Sequence, residues 1–153
     1  MQVKEIDCAW HLKYEVGLEE IDAQHQYLFG LIGELHSHAD ASVTDKTARD
    51  LLREIDRYCY YHFNSEEVLM EIYRYPALEQ QKHEHFKLLQ VLDKRICDFR
   101  QQGTTVRPIS EFLHKWFLSH VLSEDCQMAK FIIEIRAARS GIPKATRFQS
   151  NQR

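Results

Sequence analysis

The sequence contains little glycine and proline, no long apolar run and no Cys-x-x-Cys pair. Its 153 residues include only 5 Gly and 3 Pro, too few for a turn-rich β-sandwich, so helices are favoured. The four scattered cysteines disfavour a zinc site or a redox dithiol and indicate reduced thiols. Because no segment reads as a membrane span or a signal peptide, we expect a cytoplasmic protein that does not bind membranes.

Charge is distributed unevenly along the chain. Acidic residues number 23 and basic residues 20, but the chain from position 136 onward carries five basic residues and no acidic one. The preceding body therefore holds 15 basic and 23 acidic side chains, a net charge of −8, which disfavours nucleic-acid binding. We predict that residues 141–153 form a basic, flexible tail that offers a contact to an unknown protein partner. The basic residues are Arg136, Arg139, Lys144, Arg147 and Arg153.

Hydrophobic periodicity predicts four long helices joined by short loops. The expected fold is all-α, an up-down-up-down four-helix bundle over residues 1–140 with an N-terminal loop and a short C-terminal helix. Thr44 is a candidate N-cap for the second helix, Pro76 suits the first turn of the third, and Gly103 suits its end. The predicted helices span about residues 18–39, 45–73, 77–102, 108–120 and 125–139.

Metal-capable side chains interrupt the apolar seam of every long helix. A single seam histidine is usually a hydrogen-bonded core residue, but four seams that each contain one point to a shared site. Burying this set without compensation is unfavourable, and a metal supplies the compensation. Two carboxylates with several imidazoles form the ligand set of a non-haem di-iron centre. The candidates are His25, His62, Glu66, Gln81, His85, His120 and Asp125.

Two details of these seams can be tested against a structure. The seam of the second helix is predicted at Leu51, Ile55, Tyr58, His62, Glu66, Leu69 and Tyr73. Asp125 follows His120 by five residues, which places it about 140° away on a regular helix. If both residues serve one site, the helix must end, bulge or kink between them.

Four stretches together resemble the hemerythrins, and more closely the bacterial ones. They are VGLEEIDAQHQYLF around His25, HFNSEEVLM around His62 and Glu66, YPALEQQKHEHFKLL around His85, and WFLSHVLSED ending in Asp125. The resemblance extends over about residues 10–130, where order, spacing and flanking aromatic residues agree. It implies two non-haem irons, joined by an oxo or hydroxo group, that bind O2 reversibly for oxygen transport, storage or sensing.

The resemblance also implies a role for each ligand. Glu66 and Asp125 would bridge the irons. His25 and His62 would hold the iron with an open position for O2. The other iron would take His85, His120 and a histidine four residues before His85. This sequence has Gln81 there.

Gln81 leaves three possibilities open. Its amide oxygen, a weaker iron ligand than imidazole, could bind; Gln81 could stand back in favour of water or a small anion; or His83 could replace it through a local bulge. We favour the second possibility. It predicts faster autoxidation, more labile O2 binding and a less tightly held metal.

Two other functions would also suit these residues. A di-iron enzyme acting on peroxide, NO or redox partners is one alternative, and a sensor of iron or redox state is another; an O2-binding protein that is not an enzyme is favoured. The four remaining histidines are predicted to be structural or exposed, and a group of aromatic residues to pack the core. These are His11, His36, His38 and His114, and Trp10, Phe29, Phe63, Trp116 and Phe117.

Overall fold

Five α-helices make up nearly all the regular structure of the residues that the structure describes. The computed structural model describes residues 5–141. Among those residues it contains no strand and no helix long and apolar enough to cross a membrane. The all-α prediction is therefore confirmed. The helices are α1 (Glu19–Ser37), α2 (Lys46–Ile72), α3 (Leu78–Gln102), α4 (Arg107–His120) and α5 (Cys126–Ser140).

The start of α2 differs from the prediction by one residue. Asp45, not Thr44, is the N-cap, and its side chain accepts a hydrogen bond from the backbone N–H of Ala48. Both residue types are favoured at this position, so composition alone did not decide between them. The choice fixes where the first turn of α2 begins.

The C-terminal end of α3 agrees with the prediction, and the N-terminal end does not. Gly103 ends the helix in the left-handed conformation at φ +64°, as predicted. Pro76, however, lies outside α3, whose N-cap is Ala77. The chain between α2 and α3 turns instead through Arg74, which has a φ of +53°.

The four helices α1 to α4 form a closed ring around one core. α1 packs against α2 and α4, and α3 packs against the same two helices. The N-terminal loop lies over this core as predicted: a short 3-10 turn, Leu12–Tyr14, buries Tyr14, and Trp10 packs edge-on against Phe29. The inward face of α1 is buried at Ile21, His25, Leu28, Ile32 and Leu35, and Ala39 is buried just beyond the end of the helix.

The buried face of α2 is rotated from the predicted seam. Leu51, Tyr58, Leu69 and Tyr73 are only half-buried. The neighbouring apolar residues are buried in their place, because α2 packs against both α1 and α3 and its buried face is shifted accordingly. The buried residues of α2 are Ala48, Leu52, Ile55, Cys59, His62, Phe63, Glu66 and Met70.

α4 and α5 are joined by a π-helical turn, Val121–Asp125, so the chain runs on without a loop. The predicted irregularity between His120 and Asp125 is thereby confirmed as a bulge. Beyond it, α5 closes the end of the bundle through a second apolar cluster. Its buried members are Leu18, Ile21, Met70, Met128, Ala129 and Ile132.

The basic C-terminal segment is described only in part. Arg136 donates hydrogen bonds to Glu20 and to the Tyr73 hydroxyl, and Arg139 lies over the Tyr73 ring. These two arginines are therefore held against the bundle. Most of the predicted tail, residues 142–153, lies outside the described residues.

Candidate metal centre

The structure brings the predicted ligands together in the bundle interior. Glu66, Asp125 and His25 are fully buried, and the other four are at most 5% exposed. Six of them form two groups, in each of which the potential ligand atoms lie within 4.8 Å of one another. Glu66 and Asp125 belong to both groups. The groups are His25, His62, Glu66 and Asp125, and Glu66, His85, His120 and Asp125.

The first group lies between α1 and α2. His25 Nε2 is 3.0 Å from Asp125 Oδ2 and 3.9 Å from Glu66 Oε1. His62 Nε2 is 2.5 Å from the same Glu66 oxygen. Because Glu66 follows His62 by four residues, one helical face presents both side chains.

The second group lies between α3 and the π-helical turn. His85 Nε2 is 3.2 Å from His120 Nε2, and His120 Nε2 is 3.1 Å from Asp125 Oδ1. The turn matters because it rotates Asp125 onto the face that holds His120. Asp125 thus directs one oxygen at each group, as a bridging carboxylate does.

The donor atoms fit a metal better than they fit one another. Both carboxylate oxygens of Glu66 and Asp125 and both ring nitrogens of His25 are buried without a hydrogen bond. The short N–O contacts of these side chains lack hydrogen-bond geometry. Buried polar atoms without partners are unfavourable by several kcal/mol, and a set of imidazole and carboxylate ligands is one that suits iron.

The close approach of buried histidines and carboxylates shifts their pKa values in the protein alone. Burial raises the pKa of Glu66, but His62 and His25 outweigh it and hold that pKa well below its usual range. Burial lowers the pKa of His25, yet Asp125 and Glu66 together raise it to about 9. Burial also lowers the pKa of His85, which favours the neutral imidazole that a metal requires. A metal cation bound here would supply the positive charge next to Glu66 and Asp125 that a protonated histidine supplies in the protein alone.

Two residues that orient the histidines were missed from the sequence. Gln24 Oε1 lies 2.8 Å from His62 Nδ1, and Glu67 Oε1 lies 3.0 Å from His85 Nδ1. Such partners fix the ring so that Nε2 faces the metal. Each is the sequence neighbour of a ligand on its own helix, but it serves a histidine on another helix, so only the packing reveals it.

Aromatic rings cover the outer side of each group. Phe63 stacks on His85 with ring centres 4.1 Å apart, and Trp116 stacks on His120 at 4.7 Å. Phe117 meets His25 edge-on at 5.6 Å. Their predicted role in core packing fits these positions, and they shield the imidazoles from water.

Gln81 lies one turn before His85 on the buried face of α3. It is 2% exposed, and its Oε1 has no hydrogen-bond partner. His83 is exposed, and α3 is regular throughout, without the bulge that would turn His83 inward. The structure therefore contradicts the interpretation in which His83 takes the ligand position instead of Gln81.

The remaining histidines lie away from the two groups. His36 Nδ1 contacts the Ser110 hydroxyl at 3.0 Å, and His114 Nε2 contacts the Asp7 carbonyl at 2.8 Å. These contacts tie the N-terminal loop and α1 to α4. The predicted structural role of these two residues is consistent with their positions.

Comparisons with known proteins agree with this site. The family model described as Hemerythrin HHE cation binding domain matches residues 16–132. The chain is 28% identical over 120 residues to the Bacteriohemerythrin of Stenotrophomonas maltophilia, covering 76% of this chain and 75% of the relative. It is 26% identical over 139 residues to that of Pseudomonas aeruginosa strain PAO1, covering 88% and 86%. It is 25% identical over 123 residues to that of Clostridium acetobutylicum, covering 76% and 94%. Since the family match includes well over half of its length, the chain belongs to the hemerythrin family, whose members bind O2 at a non-haem di-iron centre.

Proposed function

We propose that this chain binds O2 at two non-haem irons joined by an oxo or hydroxo group. One observation carries the proposal: Glu66 and Asp125 are fully buried, lack hydrogen bonds and are shared by two groups of ligands. A carboxylate shared in this way is suited to hold two cations close together. When bound in the reduced state, the irons supply the electron density with which O2 interacts.

The ligand roles follow from the two groups. His25 and His62 would hold one iron, His85 and His120 the other, and the two carboxylates would bridge them. Gln24 and Glu67 orient the imidazoles of His62 and His85. The aromatic rings against the histidines exclude water, which favours reversible binding over loss of superoxide.

Gln81 is the feature that distinguishes this chain within the proposal. Its buried amide oxygen has no partner, and no second imidazole takes its place. We propose that Gln81 does not coordinate iron, so that the iron at His85 and His120 also has an exchangeable coordination position. The expected consequences are labile O2 binding, faster autoxidation and easier release of iron.

Iron analysis and O2 exposure test the proposal. We expect two irons per chain and, on adding O2 to the reduced protein, a coloured adduct that reverses under vacuum. Gln81→His should lengthen the lifetime of that adduct and slow iron release to a chelator. Gln90→His, an exposed change farther along α3, is the matched control and should change neither. An adduct that is no longer-lived in Gln81→His contradicts the proposed role of Gln81.

The same O2 experiment distinguishes the alternative, a redox enzyme. An open position at each iron would suit peroxide or NO chemistry. Prompt conversion to the oxidised state, with peroxide consumed on repeated addition, would favour the enzyme over the O2 carrier. Oxygen transport and a cytoplasmic location remain predictions from the sequence.

A further inference from the structure

A small cleft leads from the surface of the bundle to Gln81. It has a volume of about 110 Å³ and lies between the start of α3 and the π-helical turn. It is therefore large enough to admit molecules the size of water. Its polar lining consists of Tyr75, Gln80, Gln81, Glu84, Glu124 and Gln127.

Two residues of the lining connect this cleft to the candidate metal centre. Gln81 lies at the cleft and also one turn before His85 on the same buried face. Glu124 borders the cleft, and its Oε2 is 3.9 Å from His120 Nδ1. Through Gln81 and Glu124 the cleft therefore adjoins the group of His85 and His120, whereas His25 and His62 lie on the other side of the shared carboxylates.

The chemistry of the cleft selects by charge. Glu84 and Glu124 place two carboxylates in its lining, while the amides of Gln80, Gln81 and Gln127 can donate and accept hydrogen bonds. Lys87 lies 3.7 Å from Glu84 and offsets part of its charge, so Glu124 should contribute more to the field. A narrow acidic passage repels anions but admits uncharged molecules.

We infer that this cleft is an entry route to the metal held by His85 and His120 for small, uncharged, hydrogen-bonding molecules the size of water or hydrogen peroxide, and that Glu84 and Glu124 keep small anions out. The inference rests on the proposed di-iron function and adds a ligand class and a route to it. Larger cavities beside Arg107 and between α2 and α3, of about 570 and 470 Å³, are lined by none of the candidate ligands.

Azide binding to the oxidised, iron-loaded protein tests the route. Azide is an anion at neutral pH, and its association can be followed by the absorption of the complex in stopped flow. We expect Glu84→Gln/Glu124→Gln to accelerate association roughly three- to tenfold at low salt, with most of the gain lost in 0.5 M salt because the charges are then screened. Glu124→Gln alone should account for most of the gain. Association of hydrogen peroxide, an uncharged probe, should stay within twofold of the parent.

Two controls make the result specific to the cleft. Glu34→Gln/Glu134→Gln removes the same charge at exposed positions on α1 and α5 and should leave the azide rate unchanged. In the Gln81→His background an imidazole should fill the exchangeable coordination position of the iron at His85 and His120. The increase in azide association rate caused by removing the charges of Glu84 and Glu124 should then vanish.

Three outcomes overturn the inference. An unchanged azide rate in the iron-loaded double variant does so while leaving the proposed function intact. An equal gain in the Gln81→His background shows that azide enters elsewhere. A chain that takes up no iron overturns both the route and the proposed function.

Discussion

The two groups of buried ligands share Glu66 and Asp125 but differ in their surroundings. The group with His25 meets Phe117, and His62 contacts the neutral amide of Gln24. The group with His85 and His120 contacts a carboxylate, Glu67, and adjoins a polar cleft at Gln81. Aromatic rings pack against histidines of both groups, but the polar cleft adjoins the side of His85 and His120, where we therefore expect faster exchange with solvent. Variants that affect both groups of ligands, one group or neither can test this difference in exchange.

Loss of the shared carboxylate should have the largest effect. We expect Glu66→Gln to lower the iron content from two per chain to less than one, because Glu66 belongs to both groups and an amide is a poorer iron ligand. Iron analysis after gel filtration measures the change. Glu71→Gln, an exposed change on the same helix, should retain both irons. Two tightly held irons in Glu66→Gln would contradict the bridging role.

Loss of the orienting partners should separate the two sides. Glu67→Leu should weaken metal binding about 10- to 100-fold, and Gln24→Leu about tenfold, since a charged acceptor bonds more strongly than a neutral one. Competition with a chelator measures both affinities, and Glu71→Leu serves as the surface control. Equal affinities in the parent and Glu67→Leu would mean that the contact with His85 has no influence on the metal.

Loss of the ring that stacks on His85 should reduce stability moderately. Phe63 is 2% exposed, so Phe63→Leu should destabilise the metal-free fold by roughly 1–2 kcal/mol and lower its Tm by about 3–6 °C. Phe86→Leu on the exposed face of α3, where the side chain is 59% exposed, is the control. Thermal unfolding of the metal-free parent, Phe63→Leu and Phe86→Leu proteins measures the effect. Equal decreases in Tm for the two variants would contradict a special contribution of the ring stacked on His85.

A carboxylate pair away from the metal centre should have the smallest effect. Burial, followed by the neighbouring Asp93, raises the pKa of Asp56 to about 6. Because the folded pKa exceeds the ordinary value of 3.8 for an aspartate, the stabilising contribution of this carboxyl is complete below that value and is lost as the pH rises through about 6. Above that pH the ionised pair opposes folding.

Asp56→Asn should therefore raise Tm by about 1–2 °C at pH 7.5 and change it little at pH 5. Glu34→Gln, an exposed change of equal charge, should show no such pH dependence. A variant that stabilises equally at both pH values would show that the gain does not come from the ionised pair.

Much of the candidate site was readable from the sequence because helical periodicity is strong in this chain. The steps of three and four residues placed His25 and His85 on buried faces. The five-residue spacing of Asp125 predicted that the helix ends, bulges or kinks if both residues serve one site, and the structure contains a π-helical bulge. Periodicity was less decisive where adjacent positions are both apolar. On α2 the structure buries Leu52 in place of Leu51, since packing against two helices selects between them.

The sequence by itself determined an all-α fold and a set of seven candidate ligands, because spacing along a helix fixes which side chains share a face. Through the resemblance to the hemerythrins it also predicted that Gln81 stands where a histidine ligand is expected. Only the tertiary structure decided that Gln24 and Glu67 serve histidines on other helices, that His83 faces outward and that a polar cleft adjoins Gln81. Those facts depend on how helices are placed against one another, and spacing within one helix carries no information about that.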